Sequence, residues 1–347
     1  MNRFFLLFIV LILSGCGKFK EERKTLAEVE TLVKFREYSK AVLLLKEALK
    51  ENPNSKALLR YRIITLLKAE QSDLAYAAYR QFKEKVSPND KVLLDALENE
   101  DATVRATAAQ VLSVAKEPRS IKALIKKVND SDETVRQAAI NALRELKDSK
   151  ATPVLREALK DESWFVRAEA GQALGAIGAE EALPNLFQVL NDSDDYVSQA
   201  ASTALMSLAN SNTQAIFLEK LSDPQEKVKL VAALALAKLH DHHGANLLLQ
   251  KLESGVQDNR DKRLIIVALA QLKEVAAISL LQQQALDEKG DHQVRLAAIA
   301  ALAIIPNVSS YSSTLNLLES LSTNIKTPII IRQQAREAKE LLQTTKR

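Results

Sequence analysis

Glycine and proline are scarce, eight of each in 347 residues, and aromatic residues make up only 5% of the chain. No run alternates apolar and polar residues with the period of two that a half-buried strand needs. The single cysteine, Cys16, excludes a disulfide framework. Charge of one sign is nowhere concentrated. The net charge of +4 falls to +3 if Arg3 leaves with the leader, and acids and bases are interspersed. A nucleic-acid partner needs a concentrated basic face, so none is expected. A Gly-rich phosphate loop, a nucleophile elbow and an HExxH run are also missing. What is left, 47% hydrophobic and rich in Ala and Leu, reads as all-α with short turns.

The positive signal is a repeat of 31 residues. Val104-Arg105, Val135-Arg136, Val166-Arg167, Val197-Ser198 and Val228-Lys229 open five copies of one pattern. Four residues after each Val stands Ala108, Ala139, Ala170, Ala201 or Ala232, and eight after it Leu112, Leu143, Leu174, Leu205 or Leu236. Spacings of four and eight trace one helix face. Upstream, Asp101, Asp132, Ser163 and Asp194 hold the position where a side-chain oxygen caps a helix start. Shorter apolar stretches, such as Ile121 to Val128 and Ala182 to Leu190, supply a first helix to each unit. Neither helix buries its face alone, so the units must stack as a solenoid. Later copies at Arg260 to Leu272, Val294-Arg295 and Ile331-Arg332 bring the count to eight from about Lys91 onward. Ala170 and Ala201 are expected in the core, and Ala179 at a turn that tolerates a larger side chain.

These residues resemble the HEAT family, in particular the short repeats of the bilin-lyase type. Their acidic turn, D-x-D-x-x-V-R, stands here as Asp130-Ser131-Asp132-Glu133-Thr134-Val135-Arg136 and, with Ser198 in place of Arg, at Asp192 to Ser198. The resemblance implies a right-handed α-solenoid over 89–347. It also implies a ladder in which the Arg105, Arg136, Arg167 and Arg295 column meets the Asp130, Asp161, Asp192 and Asp223 column. The His-Glu pairs that the HEAT-repeat hydroxylases use to bind iron are absent.

Two further segments precede the solenoid. Asn2-Arg3, ten apolar residues from Phe4 to Leu13, and Ser14-Gly15-Cys16 describe a cleavable signal too short to span a bilayer. Leu13-Ser14-Gly15-Cys16 resembles the lipobox of bacterial lipoproteins. That resemblance makes 1–15 a signal peptide, Cys16 the lipidated first residue, and 16–24 a tether at the membrane. Gly17 resembles the residue of lipoproteins sent to the outer membrane in two-membrane cells. Residues 25–88 carry a period near 34, with Ala41 and Ala75 equivalent. Tyr38, Ala41, Leu44, Ala48, Leu49 and Asn52-Pro53 resemble a tetratricopeptide repeat. Ser87-Pro88-Asn89-Asp90 marks the change of repeat type, and both segments are expected to stack directly.

Catalytic candidates are few. His240-Asp241-His242-His243 could present imidazoles and a carboxylate to zinc, yet it follows a helix end and precedes Gly244, which reads as a solvated turn. No cofactor and no metal are expected. Two surface rows are candidates for a protein or peptide partner. The residue before each Val is Thr103, Thr134, Phe165, Tyr196 or Lys227, and Trp164 precedes Phe165, so Trp164, Phe165 and Tyr196 form an expected aromatic ridge. Six residues after each Val stand Gln110, Asn141, Gln172, Thr203 and Leu234, an inner row suited to bonding a peptide backbone. The expectation is a membrane-anchored, non-enzymatic interaction scaffold of the cell envelope. The alternative is a lyase-like or cofactor-handling enzyme subunit.

Overall fold

In the computed structural model, residues 20–86, 90–305 and 309–344 are described. The signal peptide, Cys16 and the Ser87-Pro88-Asn89 junction lie outside them. Among the described residues there is no strand, and no helix is long and apolar enough to cross a membrane. They form two compact units, the first ending at Ala182 and the second starting at Leu183.

The first unit opens with α1 (20–34), α2 (Tyr38–Glu51), α3 (Lys56–Lys68) and α4 (Ser72–Lys85). Residues 20–24, expected as tether, are already helical. Three repeat pairs follow: α5 (Val92–Ala96) with α6 (Ala102–Val114), α7 (Ile121–Lys127) with α8 (Glu133–Leu146), and α9 (Thr152–Ala158) with α10 (Trp164–Ile177). The second unit holds five pairs. They are α11 (Leu183–Val189) with α12 (Asp195–Ser207), α13 (Gln214–Lys220) with α14 (Glu226–Lys238), α15 (Ala245–Ser254) with α16 (Asn259–Gln271), α17 (Ile278–Leu286) with α18 (His292–Ile304), and α19 (Tyr311–Thr323) with α20 (Ile329–Thr344). Eight pairs thus follow the N-terminal hairpins, each an α-solenoid unit of two helices.

The helix starts follow from their caps. Asp101 accepts from the Thr103 amide, while Asp132 and Asp194 each accept from the two amides Thr134–Val135 and Tyr196–Val197. Ser163 does not cap; its hydroxyl donates instead to Glu133 of the preceding repeat, 2.7 Å away. The helix ends share a device too. Lys116, Lys147, Gly178 and His240 adopt left-handed φ angles of 46°, 51°, 80° and 58° at one repeat position, reversing the chain toward the next unit.

Small residues let the helices meet. Ala139 and Ala170 are fully buried and Ala201 is 1% exposed, as their spacing requires. Ala179 is buried as well, at 3%, so the expected exposure of that turn position is corrected: a larger side chain there would have to displace its neighbours. A second small column was not read from the sequence. Ser120, Ala151, Ala182 and Thr213 are buried at the starts of the first helices, and Gly244 falls in the same register. A Cβ on Gly244 would lie 2.7 Å from the Ala233 Cα. Gly244 is therefore a close-approach glycine and not part of a solvated turn.

Within the first unit the hairpins lie directly on the first repeat, α3 and α4 both packing against α6. Asp90 accepts from Lys56 at 2.9 Å and Arg60 at 2.6 Å. Glu117, after α6, receives Lys83 of α4 at 2.8 Å, Arg119 at 2.9 Å and the Tyr79 hydroxyl at 3.4 Å.

Candidate partner-binding surface

In the first unit α6, α8 and α10 lie side by side. Because they share one register, two rows cross them in parallel. Thr103, Thr134 and Phe165 stand near the helix starts, and Gln110, Asn141 and Gln172 stand two turns further on, about 10 Å along each axis. Trp164 is 44% exposed and meets Phe165 edge to face, centroids 5.3 Å apart. Tyr196 is half exposed at the start of α12 in the second unit, so the expected ridge divides between the two units.

The inner row is uneven. Gln110 is exposed, with no hydrogen bond among the described residues. The Asn141 Oδ1 is buried and lacks a hydrogen-bond partner among them. Gln172 is engaged: Arg144 donates to its Oε1 at 3.3 Å and to Glu169 Oε2 at 2.9 Å. Arg144 and Glu169 carry opposite charges 25 residues apart, the same offset as Arg105 and Asp130, a signal that the sequence reading passed over.

In the second unit the row is engaged within the chain or buried. Arg260 of α16 donates to the Thr203 hydroxyl of α12 at 3.1 Å, and Leu230 and Leu234 of the intervening α14 are buried. Thr203 is thus already a partner within the chain. Burial and neighbouring Asp258 push the Asp261 carboxyl up, while Arg260 and Lys227 oppose the shift.

The ladder holds the turns below these rows. Arg105 spans Asp130 with two bonds, Nε to Oδ2 at 2.9 Å and Nη2 to Oδ1 at 2.6 Å, and its Nη1 donates to the carbonyls of Asn99 and Glu100. Arg136 repeats the arrangement toward Asp161 Oδ1 at 2.9 Å and the Asp130 carbonyl at 3.1 Å. Burial alone would raise the Asp130 carboxyl, but bonds from Arg105 and from the Asp132 amide hold it below the usual carboxylate range. Departures are compensated locally: Ser198 donates to the Leu190 carbonyl at 2.6 Å, and Arg295 to the Ala285 carbonyl at 3.2 Å.

The histidine run is structural at two of its members. His240 is the left-handed residue, and Asp241 caps the 3-10 turn through the His243 amide. His242 and His243 are exposed. His243 Nδ1 lies 2.5 Å from Asp241 Oδ1, while His242 Nδ1 is 3.7 Å from Glu274 Oε2. Among the described residues no three His, Cys, Asp or Glu side chains are placed to hold a metal ion.

Paired helices in fixed register, with small residues at their contacts, define an α-solenoid. The family model for HEAT repeats matches in four overlapping stretches, 90–175, 121–206, 153–237 and 183–265, and the chain belongs to that family. No curated protein matches the sequence. Among solved structures it is similar to importin beta, at 14% identity and TM-score 0.54 over 91% of this chain and 48% of that one. It is also similar to the E. coli protein YibA, at 18% identity and TM-score 0.50, over 77% and 96%. A complex of CpcE and CpcF of phycocyanin lyase from Nostoc sp. PCC7120 aligns at 21% identity over 73% and 93%, but its TM-score of 0.38 is too low to argue from. These likenesses show the fold alone.

Proposed function

We propose that this protein is a membrane-anchored, non-enzymatic adaptor of the bacterial cell envelope that binds a protein or peptide through the second-helix face of its first unit. The observation that carries the reading is the aromatic pair at the start of α10. Trp164 remains nearly half exposed, on the same face as Gln110, whose exposed amide makes no hydrogen bond among the described residues. Exposed aromatics contribute most where they are buried by a partner. The repeats at Thr103 and Thr134 fold without rings at the equivalent position, so stacking does not require them. The charged pair on that face, Arg144 and Glu169, is bonded within the chain.

Trp164→Ala separates the two roles. Loss of the edge contact to Phe165 should lower stability by about 1 kcal/mol, while a hot-spot anchor should weaken partner capture by about 2 kcal/mol or more, roughly thirtyfold. Thermal melting and pull-down from envelope extracts read both. A capture profile unchanged in Trp164→Ala would remove the aromatic pair from the binding surface.

The anchoring part rests on Leu13-Ser14-Gly15-Cys16 and on the absence of any other thiol. Two or three acyl chains anchor far more firmly than one. With Gly17 next, the periplasmic face of the outer membrane is the destination in a two-membrane cell. The N-terminal hairpins are read as tetratricopeptide-like, supported by the burial of Ala41, Ala75 and Ala78. Cys16→Ala should abolish labelling by a fatty-acid analogue and shift the protein to the aqueous phase on detergent partitioning. Continued labelling of that variant would overturn the anchor.

A further inference from the structure

The binding face has a depression of about 300 Å³ at its N-terminal end, where the α3–α4 turn meets the starts of α6 and α8. That volume suits one side chain better than a whole small molecule, since ligand pockets begin near 300 Å³. Its wall includes Glu70, Thr103, Ala106, Gln110, Asp132 and Thr134, and no Lys or Arg among the described residues. Glu70 occupies the left-handed position of its turn, φ 56°, which fixes where its side chain starts. That side chain has neither ion pair nor hydrogen bond among the described residues. Asp132 uses Oδ1 for the Thr134 and Val135 amides, so Oδ2 is uncommitted.

The wall of the depression holds no cation, unlike the surroundings of four other carboxylates of the first unit. Asp90 has Lys56 and Arg60, Glu117 has Lys83 and Arg119, Asp130 has Arg105, and Glu169 has Arg144. Removing negative charge from water without a counterion is unfavourable, so a ligand entering here must bring the cation. Gln110 lines the depression with its exposed amide uncommitted, and the partly exposed Asn141 lies one helix over.

We propose that the depression takes the Lys or Arg side chain of an extended peptide whose backbone runs along Gln110 and Asn141. The aliphatic stem lies on Ala102 and Ala106, as long cationic side chains do on apolar surface, and the charged head meets Glu70 and Asp132. Neighbouring helices sit about 8–10 Å apart. An extended chain rising about 3.3 Å per residue therefore spans the two amides in about three residues. The proposal rests on the reading of this face as a peptide-binding surface and names what it selects.

The full chain, in detergent, is presented to immobilised nonapeptides that are random except for one fixed position, at low salt. Lys and Arg should be enriched at one position about fivefold or more over Gln. Glu70→Lys should abolish that preference without shifting the melting temperature, because Glu70 is exposed and holds nothing. Gln110→Ala should weaken all selected peptides alike. No Lys or Arg enrichment, or enrichment that survives Glu70→Lys, overturns the proposal. Displacement of the peptide by free spermidine at or below the peptide's own concentration would assign the depression to a polyamine and overturn it as well. A selection for other residues, lost in Trp164→Ala and kept in Glu70→Lys, sinks this inference while leaving the adaptor reading in place.

Discussion

Arg105→Met should be the most damaging single change in the first unit outside its apolar core, at about 3 kcal/mol or more. Its guanidinium makes four bonds, two to Asp130 and one each to the Asn99 and Glu100 carbonyls. The Asp130 side chain is 7% exposed, and its carboxylate would keep only Lys127, 3.7 Å away, as an ion-pair partner among the described residues. Deleting one partner of a buried ion pair costs about 3–5 kcal/mol because the other charge is left uncompensated. The double change Arg105→Met with Asp130→Leu should recover most of the loss, since replacing both partners by apolar groups is often neutral. Arg105→Lys should recover little, because an ammonium cannot hold a carboxylate and two carbonyls through a planar fork. A thermal or urea melt of the three variants measures this. A loss below about 1 kcal/mol in Arg105→Met would reduce the pair to an ordinary surface bridge.

Acid should undo the joint between the N-terminal hairpins and the first repeat. The Arg119 bond pulls the Glu117 carboxyl down, burial opposes it, and Lys83 adds to the lowering, leaving it at about 2. A carboxyl depressed from its ordinary value near 4.5 contributes stability that is fully present above that value and lost as pH falls toward about 2. Glu117→Gln should therefore destabilise by about 2 kcal/mol at pH 7, and its deficit should shrink as pH falls from about 4.5 toward about 2. Parallel melts at pH 7 and pH 3 read the difference. A deficit of the same size at both would show that the charge of Glu117 is not what joins the segments. At the alkaline end burial, then Glu117, push the Tyr79 phenol up to about 12. Its contribution is present below about 10 and is lost as pH rises through about 12.

Much of the candidate surface was legible because repetition converts sequence position into spatial position. Gln110, Asn141 and Gln172 share one register, so their alignment on adjacent helices needed only the period. Their availability was not legible. Gln172 is held by Arg144, and Thr203 by Arg260 from 57 residues away. Glu70 could not be chosen from the sequence either. It differs from other surface glutamates only in the depression it faces, formed with Gln110 and Asp132.

The sequence by itself determined the helix pairs, because Val, Ala and Leu spaced by four and eight residues leave one apolar stripe per helix that only a stacked neighbour can cover. It determined most starts as well, since the carboxylates of Asp101, Asp132 and Asp194, three residues before their Val, cap locally. Tertiary packing decided the rest. Ala179 turned inward although it follows Gly178 at a chain reversal, and Gly244 was pressed against Ala233 where the run of histidines suggested solvent. Which carboxylates kept a cation was decided there too. Local pattern sets which residues share a face, but burial, pairing and vacancy depend on side chains that reach across from other repeats.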